Sequence, residues 1–261
     1  MQGPSYTDRM RPNRRPWGLA EAPLAPRLLA LDTATERLTL ALVDGPRHWL
    51  ADEAGGALAS QRLLPLVFEL LASAGLALRD LDAIAFGCGP GAFTGLRTAC
   101  SVAQGLAFGA DLPVLAIDSL ALVAEDARAQ HGAAADRLWV AMDARMDEVY
   151  AAAYLYSPDG WWVDQAPALW PVAALAEAWR REPPAGVAGS ALDACGARLP
   201  SGAALRITAP QDRAAALARL ARAAWRRGEA MDAALALPLY LRDKVAQTTT
   251  ERSAAALAKA G

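Results

Sequence analysis

Apolar positions divide the chain into short strand-like runs and longer stretches with helical spacing. Residues 28–31 (LLAL) form a continuous apolar run that closes on Asp32-Thr33. Residues 38–43 and 48–51 flank Asp44-Gly45 and read as a hairpin added to that first strand. From Ser60, read as an N-cap, the spacing of Leu63, Leu64, Val67, Phe68 and Leu71 predicts an amphipathic helix, with Pro65 bending its first turns. Leu66 and Leu70 widen its apolar face beyond what one sheet covers, which predicts a second contact surface. Residues 83–86 (AIAF) are the next strand. A helix over 98–108 then carries a small-residue face of Ala99, Cys100, Ala103, Gly105 and Ala107. Strand 114–117 and helix 120–130 complete an α/β unit.

The second half repeats this order. After a boundary at 131–136, residues 138–142 and 149–156 read as strands, and Ser157-Pro158-Asp159-Gly160 is a turn. Trp161 and Trp162 continue that hairpin as packing groups, with stacking on a base as the alternative. A helix runs from Pro171 through Trp179 to the stop at Pro183-Pro184. Short strands follow at 186–189 and 205–208. The last helix opens at Gln211 or Asp212 and buries Leu217, Leu220, Ala221, Ala224 and Trp225. Its arginines, Arg213, Arg219, Arg222 and Arg226, read as a solvated face, an RNA groove being the alternative. The repeated order predicts a duplicated actin-like α/β fold with mixed sheets flanked by helices. Its parts are a first domain over 27–130, a smaller second domain over 131–209, a helical segment over 210–237 packing back on both, and a tail over 238–261 with an apolar head. Residues 1–26 hold Arg9, Arg11, Arg14 and Arg15 among prolines, show no apolar period, and read as a flexible extension.

Composition narrows the classes. The chain has 261 residues, is 54% hydrophobic, and carries 26 basic against 28 acidic side chains, a net charge of −2. That balance argues against a protein that coats nucleic acid over its whole surface. No run reaches the roughly 18 apolar residues of a membrane span, and the start lacks the apolar core of a secretory signal, so a cytoplasmic location is expected. Cys88, Cys100 and Cys195 make no CxxC pair, and only His48 and His131 offer imidazole, so neither a disulfide framework nor a histidine metal site is expected.

The most distinctive stretch is GCGPGAFTGLR at residues 87–97. Gly87, Gly89 and Gly91 permit close backbone approaches, and Thr94 as N-cap leaves free N–H groups beside the turn. An anion or a partner's polar group fits there, as does simple docking of a helix on a sheet. The stretch is neither a dinucleotide fingerprint nor a lysine-bearing phosphate loop. Candidates for nucleotide or partner contact are Asp32, Thr33, Gly89, Gly91, Thr94 and Arg97, with Asp143, Arg145 and Glu148 as a second polar group.

These residues carry a resemblance. LLALDTAT (28–35), QRLLP (61–65), GCGPGAFTGLR (87–97), AQGLAFG (103–109), DSL (118–120), MDARMDEVY (142–150) and PLYLRDKVA (238–246) resemble, in order and spacing, the TsaB (YeaZ) family. Residues 1–26 lie outside the resemblance. It implies a ribonuclease H-like, actin-like fold and a non-catalytic paralogue of TsaD. In that system TsaC makes threonylcarbamoyl-adenylate, and TsaD docked on TsaB transfers the threonylcarbamoyl group to N6 of the adenosine beside the anticodon in tRNAs reading ANN codons. The ATPase TsaE joins the complex. Partners are therefore TsaD and TsaE, with tRNA reached through the complex and a homodimer when the chain is isolated. No cofactor is bound independently; ATP or ADP and a divalent metal enter through TsaD and TsaE. The histidine-x-x-x-histidine metal element of TsaD has no counterpart in the early helix here, and residues 186–190 are at most a remnant of an adenosine-binding pattern. Pairing through the early helices implies Leu63, Leu66, Val67, Leu70, Ala99 and Ala103 at the interface. Three positions depart from the family pattern: Ala59 for histidine, Ala92 for serine and Asp147 for glycine. The rival readings are a phosphotransferase built on Asp32 and the glycine turn, a metal-dependent glycopeptidase, and a purely structural homodimer.

Overall fold

A computed structural model describes residues 25–203 and 205–242. The expectations for residues 1–24 and 243–261 lie outside the described residues. Among those described, ten strands form two five-stranded mixed sheets built on one plan. In the first, β1 (Arg27–Asp32), β2 (Arg37–Asp44) and β3 (Arg47–Ala54) are antiparallel, and β4 (Ala83–Gly89) and β5 (Val114–Asp118) join parallel to β1. In the second, β6 (Arg137–Asp143), β7 (Glu148–Ser157) and β8 (Gly160–Pro171) are antiparallel, and β9 (Gly186–Ala188) and β10 (Leu205–Ile207) run parallel to β6. The orders β3-β2-β1-β4-β5 and β8-β7-β6-β9-β10 match strand for strand, which is the expected duplication.

Period-two alternation assigns the layers. Leu29, Leu31, Leu38, Leu40 and Leu42 face α1 (Ala59–Ala74) and α2 (Phe93–Ala110). Leu28, Ala30, Ala41 and Val43 face the opposite way, toward α3 (Ser119–His131) and α6 (Arg213–Arg226). The second sheet presents Leu138, Val140 and Tyr154 to these same two helices and buries Val149 and Ala151 under α4 (Val172–Arg181) and α5 (Ala191–Cys195). The result is five layers, helix–sheet–helix–sheet–helix. The middle layer is shared, so the two sheets close on one continuous core, and the 210–237 segment supplies half of that layer. Both flanks of α3 are covered, and residues 119–127 are all buried. Its cap, Asp118, accepts from the Leu120 N–H at 2.8 Å and from the Tyr154 hydroxyl at 2.6 Å, tying the second sheet to the first.

Several local expectations are corrected. α1 begins at Ala59 after a 3-10 turn, Gly56–Leu58, and has no side-chain cap; Ser60 lies inside it. α2 is capped at Ala92, also without a side chain, and Thr94 is an exposed first-turn residue. The six interface candidates Leu63, Leu66, Val67, Leu70, Ala99 and Ala103 are buried in the chain's own core. They meet the sheet and each other in one cluster, which Leu81, Leu112, Ala233 and Ala236 complete. The exposed apolar side chains of these helices are instead Leu64, Phe68 (51% exposed) and Phe108 (61%), with Leu58 just before α1. Arg213, assigned to a solvated face, is 2% exposed.

Candidate functional site

Two loops meet at the carboxyl ends of β1 and β4: residues 32–34, and the glycine turn that enters α2. The Ala92 N–H donates to the Ala34 carbonyl at 2.8 Å, and the Thr33 hydroxyl donates to the Gly95 carbonyl at 2.6 Å. Glycine is required for this contact. A Cβ on Gly91 would lie 2.4 Å from the Ala34 oxygen, and one on Gly95 1.9 Å from the Thr33 oxygen. Gly89, with φ of +110°, packs beneath Leu96 and the Leu239 carbonyl. The space these glycines open is filled by the chain's own atoms: loop backbone at Gly91 and Gly95, the Leu96 side chain and the Leu239 carbonyl at Gly89.

Asp32 is fully buried. Its carboxylate accepts from Ser119 Oγ at 2.9 Å, from the Ala34 N–H at 3.1 Å and from Arg213 Nη2 at 3.3 Å. A Cβ at Gly87 would sit 1.8 Å from Asp32 Oδ2, so that glycine makes room for the carboxylate. Asp32 is thus enclosed by the chain's own donors and is not open to solvent, where the phosphotransferase reading places an acid facing its ligand. Sequence reasoning missed Arg213, although its spacing of four and seven residues from Leu217 and Leu220 places it on the buried stripe of α6.

Above these loops a cleft of about 620 Å³ opens between the sheets, with Gly91, Asp143, Arg145, Ser119 and Arg213 in its walls. Asp32, Thr33, Gly89 and Thr94 do not line it. Asp143 Oδ1 accepts from the Arg145 N–H at 2.9 Å, and Oδ2 pairs with its guanidinium at 3.2 Å. Arg145, Met146 and Asp147 are all left-handed, with φ of 61°, 59° and 58°. A glycine at 147 would adopt that conformation without the steric cost an aspartate meets. Asp147 in turn accepts from Arg198 at 2.7 Å.

Residues 239–242 also line the cleft. The Leu239 N–H donates to the Cys88 carbonyl at 2.7 Å. Tyr240 packs on Phe93 with the rings tilted by 40° and their centres 5.2 Å apart, and its hydroxyl accepts from Arg97 Nε at 2.9 Å, while the Arg97 guanidinium lies 3.9 Å from the Phe93 ring centre. Arg242 Nη2 donates to the Ala144 carbonyl at 2.9 Å and to Glu148 Oε2 at 2.5 Å. The apolar head of the tail is thus anchored on the body, and Arg97 and Glu148 serve that anchorage. Burial pushes the neighbouring Tyr150 phenol above its ordinary range; Arg242 opposes this and Glu148 adds to it. Burial also pushes the Cys88 thiol well up. Among the described residues no three His, Cys, Asp or Glu side chains are grouped as metal ligands. No helix among them is long and apolar enough to cross a membrane.

The arrangement has close counterparts among solved structures. YeaZ from Pseudomonas aeruginosa is 41% identical with a TM-score of 0.74, and the match covers 83% of this chain and all of that one. A second Pseudomonas aeruginosa structure, described as similar to the peptidase YEAZ, is 42% identical with a TM-score of 0.76 and the same coverage. This chain belongs to the YeaZ family. Proteins named tRNA threonylcarbamoyladenosine biosynthesis protein TsaB also match it. The Haemophilus influenzae protein is 47% identical over 47% of this chain, and the Escherichia coli protein 42% identical over 52%. The chain spans 51% and 58% of the lengths of those two relatives. A family model described as TsaD, tRNA N6-adenosine threonylcarbamoyltransferase, matches residues 57–176 of this YeaZ-family chain.

Proposed function

We propose that the chain acts in tRNA threonylcarbamoyladenosine formation as a non-catalytic partner of TsaD, scaffolding a complex that TsaE joins and that uses the product of TsaC. In this reading tRNA, ATP or ADP, and the divalent metal are engaged through TsaD and TsaE, and the isolated chain pairs with itself through the same surface. The observation that carries it is the outer face of α1 and α2. These adjacent helices present Leu64, Phe68 and Phe108 to solvent, and Gly105 and Gly109 have open space where a Cβ would stand. Exposed apolar side chains on two adjacent helices, with small residues beside them, suit close helix–helix packing with a partner of the same fold. The engagement of Asp32 by Ser119 and Arg213 supports a scaffolding role over chemistry at that carboxylate.

The test is reconstitution of tRNA threonylcarbamoylation from TsaC, TsaD and TsaE, with no added chain, with wild type, or with Leu64→Glu/Phe68→Glu. Packed interface residues of this kind contribute about 2 kcal/mol or more each, so the double variant should lose TsaD pairing and activity while remaining folded. Full activity without the chain refutes the proposal.

A further inference from the structure

A second cleft, of about 670 Å³, lies on the other flank of α3, between β7–β8 and the later turns of α6. It brings together two sequence features that fold and family leave unexplained, the Trp161-Trp162 pair and Arg219, Arg222 and Arg226 of α6. One wall is aromatic. Trp161 packs edge-on against Tyr156 at 5.2 Å and is fixed by its Nε1–H donating to Glu125 at 2.8 Å. Trp162 is 62% exposed, and its ring is held in place by donation from Nε1 to Ser157 Oγ at 2.9 Å. The facing wall is cationic. Arg226 is exposed and makes no hydrogen bond or ion pair among the described residues. Arg222 directs Nη2 to the Gly45 carbonyl, leaving its other donors available, and Arg219 Nη2 is buried without a partner.

The acids of this cleft are mostly engaged already. Glu125 holds Trp161 and Arg219, Asp118 caps α3 and accepts from Tyr154, and Glu229 is gripped by Arg227 through both oxygens. Asp159 stands at the turn on the rim. What remains for a ligand is a flat exposed ring opposite unpaired guanidinium donors. An aromatic face stacks any base, and a guanidinium fork matches phosphate oxygens. The volume is within the range of small-ligand sites. We infer that this cleft binds a nucleotide, its base stacked on Trp162 and its phosphate held by Arg226 and Arg222. The inference is independent of the TsaD-partner reading and uses neither α1 nor α2.

The nucleotide has two sources, a free mononucleotide or one unit of a single-stranded RNA. The full chain is titrated with AMP by calorimetry and with fluorescein-labelled hexa-adenylate by anisotropy, alongside Trp162→Ala, Trp162→Phe and Arg226→Glu. Both positions are exposed, so circular dichroism should match wild type. Binding is expected to fall about tenfold or more in Trp162→Ala and Arg226→Glu, to survive in Trp162→Phe, and to weaken steeply between about 50 and 200 mM salt. Binding of AMP with this pattern assigns a free nucleotide; binding of hexa-adenylate alone assigns a strand. Failure of both probes to bind wild type, or equal binding by folded Trp162→Ala and Arg226→Glu, overturns the inference.

Discussion

Replacing Arg213 by methionine tests the buried pair that joins α6 to the end of β1. The substitution keeps most of the side-chain volume and removes the one cation that, among the described residues, pairs with a carboxylate having no exposure to solvent. Among the described residues Asp32 then retains the Ser119 hydroxyl and the Ala34 N–H. Removing one member of a buried pair costs about 3–5 kcal/mol, because the remaining charge has no compensation. At roughly 2–4 °C per kcal/mol for a chain near this size, the melting temperature should fall by about 6–20 °C. Urea unfolding at neutral pH, followed by circular dichroism, measures the loss. Asp32→Asn should cost a similar amount by stranding Arg213. The double variant, neutral at both positions, should be more stable than the sum of the single effects requires. A loss below about 1 kcal/mol in Arg213→Met, the scale of an exposed pair, or strict additivity in the double variant, refutes the argument.

Other outcomes follow from the same geometry. Leu66→Glu should unfold or severely destabilise the chain by burying an unpaired charge, whereas Leu64→Glu, two positions earlier on an exposed face, should change the unfolding midpoint little. Gly95→Ala should destabilise by about 1–3 kcal/mol or more in the same assay, since the new methyl meets the Thr33 carbonyl oxygen. All three thiols are free and buried, so a thiol reagent at pH 8 should label none in the native chain and all three in denaturant; rapid native labelling of Cys88 would contradict its burial. Hydrogen bonding from Arg62 holds Glu53 and Glu69 below the ordinary value of 4.5, so the stability they contribute is complete above that value and is lost as pH falls through their lowered folded values. Arg62→Ala should therefore bring both carboxyl titrations, read by NMR, up toward 4.5.

The local sequence determined the elements and their duplicated order. Short apolar runs such as residues 28–31 and 83–86 can form only buried strands here, since each is bounded by polar turn residues and too short for a stable helix. The glycine turn was equally legible as a place of close approach, because no other residue tolerates a carbonyl within 2 Å of where a Cβ would be. What approaches it was not legible: Thr33 and Ala34 lie some sixty residues earlier and meet it only because β1 and β4 are neighbours. The direction of α1's wide apolar face was likewise a tertiary matter. A two-sided stripe is compatible with a partner or with a broad sheet, and the sheet takes Leu66 and Leu70 while leaving Leu64 and Phe68 to solvent. Arg213 bears on the same distinction. A sequence shows a charge near the start of a helix, but whether that charge meets water or a buried carboxylate 181 residues away depends on how the layers stack. The second cleft exists for the same reason, since neither the tryptophans of β8 nor the arginines of α6 form a site until α3 and the two sheets bring them face to face.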